Sequence, residues 1–149
     1  MKEKVFVHYG GSFAGPAPKE FLNFDASPTL RIERIPFIGR IYKKNKYFFP
    51  KNVKSGDIIK GLPVKKSSVD GVYCSHVLEH LSLSDFRMAL KNTYKILKPG
   101  GTFRAVLPDL SFYINSYANG DIGSIDFLKL TGLGIKQKPR NIYELTVDF

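Results

Sequence analysis

The sequence predicts an α/β domain with a mainly parallel sheet, and three observations carry that expectation. Short runs rich in β-branched and aromatic residues recur at residues 5–9, 21–25 and 69–75. A helical repeat then takes over, with Phe86, Ala89, Leu90, Thr93, Tyr94 and Leu97 spaced to share one face. Glycine and proline punctuate the boundaries between these stretches. Strands alternating with such a helix favour a parallel sheet, because parallel neighbours need a crossover between them.

Taken in order, Val5-Phe6-Val7-His8-Tyr9 reads as a strand running into the turn Gly10-Gly11, where backbone can approach closely and φ can be positive. Residues 12–18 hold Gly15, Pro16 and Pro18 and read as a loop. Phe21-Leu22-Asn23-Phe24-Asp25 is a second strand ending on a carboxylate, and Ser27-Pro28 reads as a turn. Residues 31–50 show no clean period. Asp57-Ile58-Ile59 reads as a short third strand or strand end, closed by Gly61 and Pro63. Residues 69–75 form the fourth strand. Ser82, with Asp85 three residues on, caps the helix that follows, and Pro99-Gly100-Gly101 ends it. Residues 102–107 make the next strand, stopped by Pro108, and residues 111–117 read as helical.

At 149 residues the chain suits one domain, 1–149, and 43% hydrophobic residues exclude global disorder. No apolar run reaches the roughly 18 residues of a membrane span, and the amino terminus lacks a signal peptide's apolar stretch. The single cysteine, Cys74, allows no internal disulfide and reads as a small core residue. A cytoplasmic location is expected.

The charge is uneven. Residues 31–66 carry eleven Lys and Arg against Glu33 and Asp57, which is +9 of the chain's net +10. With Tyr42, Tyr47, Phe48 and Phe49 interleaved, this segment could hold a phosphate-bearing partner or an anionic membrane surface, or it could be a solvated basic face. Nucleic acid is not favoured, since no nucleic-acid motif accompanies the charge. The oligomeric state is not legible.

In parallel sheets ligands bind beyond the carboxyl ends of the strands. That rule selects Gly10 and Gly11, Asp25, Asp57 with Ile58, and Ser75 with His76 as one converging set.

Two longer signatures are present: residues 69–81, Val-Asp-Gly-Val-Tyr-Cys-Ser-His-Val-Leu-Glu-His-Leu, and residues 95–103, Lys-Ile-Leu-Lys-Pro-Gly-Gly-Thr-Phe. Together, in this order and spacing, they resemble the class I S-adenosylmethionine-dependent methyltransferases. The likeness is to the methyltransferase type 11 branch, including small methyltransferases found among polysaccharide-biosynthesis genes, and it covers about residues 5–110. The resemblance implies a Rossmann-like methyltransferase fold, compact or C-terminally truncated, that binds S-adenosyl-L-methionine. It implies that the Gly10-Gly11 backbone faces the cofactor and that Asp25 accepts hydrogen bonds from both ribose hydroxyls. It also implies that Asp57 receives the adenine amino group beside Ile58, and that Ser75 and His76 pass the methionine part. Two departures stand out: the loop reads His8-Tyr9-Gly10-Gly11-Ser12 rather than Gly-x-Gly, and Gly11 and Asp25 are only 14 positions apart.

The implied reaction is methyl transfer to an unidentified acceptor, a small molecule or a glycan or lipid-linked compound that the basic segment would favour in phosphorylated form. A general base is needed only for a hydroxyl or a protonated amine, and His76 and His80 both have suitable chemistry. The competing function is a noncatalytic α/β module holding an anionic partner through residues 31–66. Gly10-Gly11 could equally be a turn without ligand, and Asp25 and Asp57 could be local caps. His76-Val77-Leu78-Glu79-His80 also fits the His-x-x-Glu-His zinc pattern, but it follows a strand instead of lying within a helix, and no third ligand is placed. A hydrogen-bonded turn that starts the helix is the expected role, and no metal is expected.

Overall fold

The computed structural model describes residues 3–10, 18–37 and 48–131. Five strands, β1 (Phe6–Tyr9), β2 (Phe21–Asp25), β3 (Val53–Ser55), β4 (Val69–Ser75) and β5 (Leu97–Val106), form one sheet in the order β3-β2-β1-β4-β5. Every neighbouring pair is parallel, and the register runs Tyr9 beside both Phe24 and Cys74, and Asp25 beside Ser55. The α/β class and parallel sheet expected from the sequence are therefore observed. The residues fall into two compact units, up to Leu107 and from Pro108. No helix among the described residues is long and apolar enough to cross a membrane.

The second and fourth strands have the bounds the sequence predicts, because clustered burial and aromatic or β-branched content coincide there. The third does not. The strand is Val53–Ser55, and Ile58 to Lys60 form a turn instead. Val53 pairs beside Asn23 and is buried with Leu30 and Phe49, whereas the Asp57 carboxylate closes its own turn by accepting from the Ile59 amide at 2.9 Å.

Ser27-Pro28 is likewise not a simple turn. It opens α1 (Pro28–Glu33): the Ser27 hydroxyl accepts from the Thr29 amide, and proline stands at the first helical position, where its missing donor costs nothing. Leu30 seats this helix against Phe49 and Val53. Glu33 accepts from the Phe49 amide, and Arg34 donates to the carbonyls of Pro50 and Val53.

Helix α2 (Leu83–Ile96) starts at the predicted cap, Ser82, whose hydroxyl accepts from the Asp85 amide. It ends at Ile96 and passes directly into β5, so Pro99-Gly100-Gly101 lies inside the strand rather than ending the helix. The register shifts there, from Val69 opposite Leu97 to Gly71 opposite Thr102, and Gly100 takes a φ of 78°. The extra residues form a bulge, tolerable because proline keeps Lys98 extended and glycine accepts the left-handed step.

Helix α2 packs through Ala89, Thr93 and Ile96 onto a core of Val7, Tyr9, Phe24, Ile58, Leu62, Val72 and Cys74. Two polar groups anchor this contact. The Tyr9 hydroxyl meets the Thr93 hydroxyl at 3.3 Å, and Asn92 donates to the carbonyls of Ile58 and Ile59, tying the β3–β4 connection to the helix. Replacing Tyr9 by phenylalanine is expected to lower stability by about 1 kcal/mol, read by urea denaturation, because Thr93 then loses this partner inside the core. Burial pushes the Cys74 thiol up to about 11, so the residue packs as an inert core group, as its sequence context predicts.

The second unit contributes α3 (Leu110–Ala118), capped by the Asp109 carboxylate on the amides of Ser111 and Phe112, and α4 (Ser124–Thr131). The rings of Tyr117 and Phe127 join the two helices with centroids 5.2 Å apart.

Candidate functional site

The strand order places the site. From β1 the chain moves outward through β2 to β3, then returns to the other side of β1 and continues through β4 to β5. The direction of progression reverses between β1 and β4. At such a switch point the loops leaving the two strands diverge and open a crevice beyond their carboxyl ends.

Gly10 and the segment Ser75–Val77 stand at that point. Gly10 has a φ of 82°, its amide donates to the Phe24 carbonyl at 3.0 Å, and a Cβ built on it would lie 2.1 Å from Cγ2 of Val77. Any side chain here would collide with Val77 in the loop after β4, so glycine lets the turn after β1 pack against that side chain. Gly11 lies outside the described residues.

Asp25 ends β2 at the same edge. One of its oxygens accepts from the Ser27 amide at 2.7 Å, a local turn of the kind its bland reading predicts, while its backbone carbonyl accepts from Gly56. Asp57 follows β3 by two residues and is half-buried, with its carboxylate turned to Ile59. Ile58 is buried in the core, where it packs with Phe24 and Leu62 instead of presenting a face at the edge. The sheet thus brings Gly10, Asp25, Asp57, Ser75 and His76 to one edge, and it withdraws Ile58 from it.

The loop after β4 holds a group the candidate set omitted. His76 has a φ of 52°, unusual for a non-glycine residue, and its amide donates to the Val106 carbonyl at 3.0 Å. Its Nδ1 lies 3.1 Å from Oε1 of Glu79, while Nε2 of His80 is 3.9 Å from the same oxygen. Glu79 sits in the single turn Leu78–His80, pinned by buried Leu78, and its Oε2 is buried without a hydrogen-bond partner among the described residues. The His-x-x-Glu-His pattern was the available signal for this trio. Among the described residues no cluster of three or more His, Cys, Asp or Glu is arranged to hold a metal ion.

Beneath the edge, His8 of β1 donates from Nδ1 to Oδ1 of Asn23, which is fully buried and donates onward to the carbonyls of Pro18 and Phe21. Burial lowers the His8 pKa below 6.5 despite the Asn23 bond and the nearby Asp25 charge. The folded chain therefore resists a proton that the unfolded chain accepts. Stability is expected to rise with pH between the lowered folded value and 6.5, and to begin falling as pH drops through about 6.5. Denaturant midpoints across that window check this, and His8→Gln should flatten the slope.

The opposite edge carries a cleft of about 290 Å³ lined by Lys4, Asp70 and Lys98. Its Asp70 accepts from Lys98 Nζ at 2.6 Å and from the Val5 amide, and these bonds hold its carboxyl below the usual range. Asp70 and Lys98 satisfy one another and lie at the amino ends of β4 and β5, away from the switch point.

The basic segment divides. Arg31 donates to Ser55 and Arg34 to backbone carbonyls, so both hold the fold, while Lys51, Lys54, Lys60, Lys65 and Lys66 are exposed. Arg40, Lys43, Lys44 and Lys46, with Tyr42 and Tyr47, lie outside the described residues.

A nucleoside bearing a sulfonium side chain needs close backbone approach at a switch point and a carboxylate that can accept from a vicinal diol. The carboxylate of Asp25, on the strand beside β1, fits the second need, and Gly10 adds no side chain of its own at the turn, where the Val77 methyl fills the space a Cβ would take.

Residues 17–105 match a family described as Methyltransferase domain, a span that lies within the first unit. Among solved structures the chain is similar to one from Haloferax volcanii, in the complex between the Trm112 methyltransferase activator and the protein assigned there as a methyltransferase. The identity is 19% and the TM-score 0.48, over 88% of this chain and 60% of that one. The chain thus spans 60% of the length of this neighbour. No curated protein matches it in sequence.

Proposed function

This chain belongs to the Methyltransferase domain family, and from that membership we propose that it transfers a methyl group from S-adenosyl-L-methionine to an acceptor bound at the carboxyl edge of its sheet. The observation that carries the reading is the switch point itself, where Gly10 after β1 packs against Val77 after β4 with no room for a side chain and Asp25 ends the neighbouring strand. The cofactor would supply an activated methyl on a sulfonium, so the protein's part is binding and orientation.

Gly10 would admit the cofactor's chain beside the backbone. The carboxylate of Asp25 would accept from the ribose hydroxyls, with its other role, on the Ser27 amide, holding it in place. Asp57 would receive the adenine amino group, and Ser75 with His76 would flank the methionine part. For the acceptor, the exposed lysines at 51, 54, 60, 65 and 66 support an anionic compound, and a glycan of a polysaccharide-biosynthesis route carrying phosphate fits that chemistry.

Calorimetric titration with S-adenosylhomocysteine tests the reading. Saturable binding displaced by S-adenosylmethionine is the expected result. A folded sample that gives neither heat nor thermal shift, yet binds polyanions with steep salt dependence, would overturn it in favour of the noncatalytic module.

A further inference from the structure

Methyl transfer to a carboxylate or a thiolate needs no base, but an alcohol or phenol must lose its proton as the new bond forms. The loop after β4 contains an imidazole arranged for that task. We propose that Glu79 fixes His76 as the tautomer protonated on Nδ1, so that its Nε2 is the proton acceptor for a hydroxyl-bearing methyl acceptor. This rests on the methyltransferase reading and assigns the acceptor's reacting group.

Three observations support it. The 3.1 Å contact joins Nδ1 to a carboxylate oxygen, and a carboxylate can only accept, so the proton of the neutral ring sits on Nδ1 and Nε2 is bare. The His76 side chain is 60% exposed while that of Glu79 is 16% exposed, so the carboxylate lies inward as the orienting group and the imidazole faces solvent. Finally, the backbone of His76 adopts a φ of 52°, a conformation costing a histidine about 1 kcal/mol or more that glycine would adopt freely. The turn tolerates that strain and presents the ring at the switch point.

Among the described residues, the titratable side chains recorded against this ring are Glu79 and, through the same oxygen, His80. With the carboxylate turned inward, the group that faces outward is the imidazole, and its bare nitrogen can accept a hydroxyl proton. That suits a neutral hydroxyl better than an ammonium, which would seek a carboxylate. In the transfer, the acceptor oxygen bonds to the methyl carbon as the carbon–sulfur bond breaks and its electron pair passes to sulfur. The hydroxyl proton moves to Nε2, and Glu79 stabilises the resulting imidazolium. His76 is the base, and Glu79 is a positioning residue that acts through it.

The chain has three histidines, so long-range ¹H–¹⁵N spectra of the full-length labelled protein resolve each ring. The expected result is a neutral His76 ring protonated on Nδ1, with the share of that tautomer reduced in Glu79→Ala. S-adenosylhomocysteine should shift the Nε2 resonance. His76→Asn, which tolerates positive φ, should keep the thermal midpoint within about 3 °C of the wild type, so that the turn is shown to stand without the imidazole. A ring protonated on Nε2, a tautomer share that Glu79→Ala leaves unchanged, or bound S-adenosylhomocysteine that leaves His76 unshifted would overturn the proposal. Failure of S-adenosylhomocysteine to bind the folded protein would instead overturn the methyltransferase reading on which the acceptor assignment rests, while the tautomer ratio still reports on the pair itself.

Discussion

Replacing Gly10 by alanine is expected to lower stability by roughly 2–5 kcal/mol and to abolish cofactor binding in the fraction that folds. Two costs combine. A φ of 82° places a Cβ against its own backbone, at roughly 1–2 kcal/mol for an L-residue. The same Cβ would lie 2.1 Å from Cγ2 of Val77, an overlap that forces one of the two loops to move, and overpacking of that kind costs roughly 1–3 kcal/mol. The two contributions separate in a double-mutant cycle. Val77→Ala removes the colliding methyl, so the Gly10→Ala, Val77→Ala protein should recover the overlap contribution relative to the sum of the single changes, a coupling of at least about 1 kcal/mol. The conformational cost should remain. Additive single effects would mean that Gly10 does not meet the β4 loop, and the contact carrying the functional reading would be lost with it.

Asp25→Ala is expected to weaken S-adenosylhomocysteine binding at least about tenfold, since each hydrogen bond to a charged group contributes roughly 1.5–3 kcal/mol. The variant also removes the bond to the Ser27 amide, and Ser27 caps α1, so some loss of stability accompanies it. Asp25→Asn distinguishes the two effects. Its amide oxygen can still accept from Ser27 and keep the turn, but it lacks the charge and one of the two acceptors that a diol requires. Calorimetry should therefore show Asp25→Asn close to wild type in thermal midpoint and close to Asp25→Ala in affinity. If Asp25→Asn binds as the wild type does, Asp25 serves only as a cap.

The two variants probe different parts of the edge. Gly10 acts through its lack of a side chain at the junction of β1 and β4, and Asp25 acts through its charge at the end of β2. The His8–Asn23 pair beneath them links the strands on which both stand, since His8 lies on β1 and Asn23 on β2. Acidification through about pH 6.5 weakens the strand pair supporting the edge. The ion pair of Asp70 and Lys98 behaves differently. The lowered carboxyl contributes stability above its unfolded value near 3.8 and loses it only as pH falls through the folded value, so the two effects occupy separate windows.

What was legible in the sequence was what is local. Residues 69–75 and 21–25 alternate or cluster so that a strand is the only way to bury them, and Ser82 caps its helix through bonds within three residues. The parallel sheet and the gathering of Gly10, Asp25, Asp57, Ser75 and His76 at one edge followed from strands alternating with a helix. What only the tertiary structure decided depends on partners far along the chain. A three-residue strand such as Val53–Ser55 has too little local signal, and its place was set by β2 on one side and by Leu30 and Phe49 beneath it. Ile58 was drawn inward by Phe24 and Leu62, and the bulge at Lys98–Gly101 by the need to keep β5 in register with β4. The clash that reserves position 10 for glycine involves Val77, 67 residues away, and the carboxylate that orients His76 is held by the burial of Leu78. Spacing along a chain encodes which residues can share a face. It does not encode which side chains from separate elements compete for the same few ångströms, and the candidate site is made of such meetings.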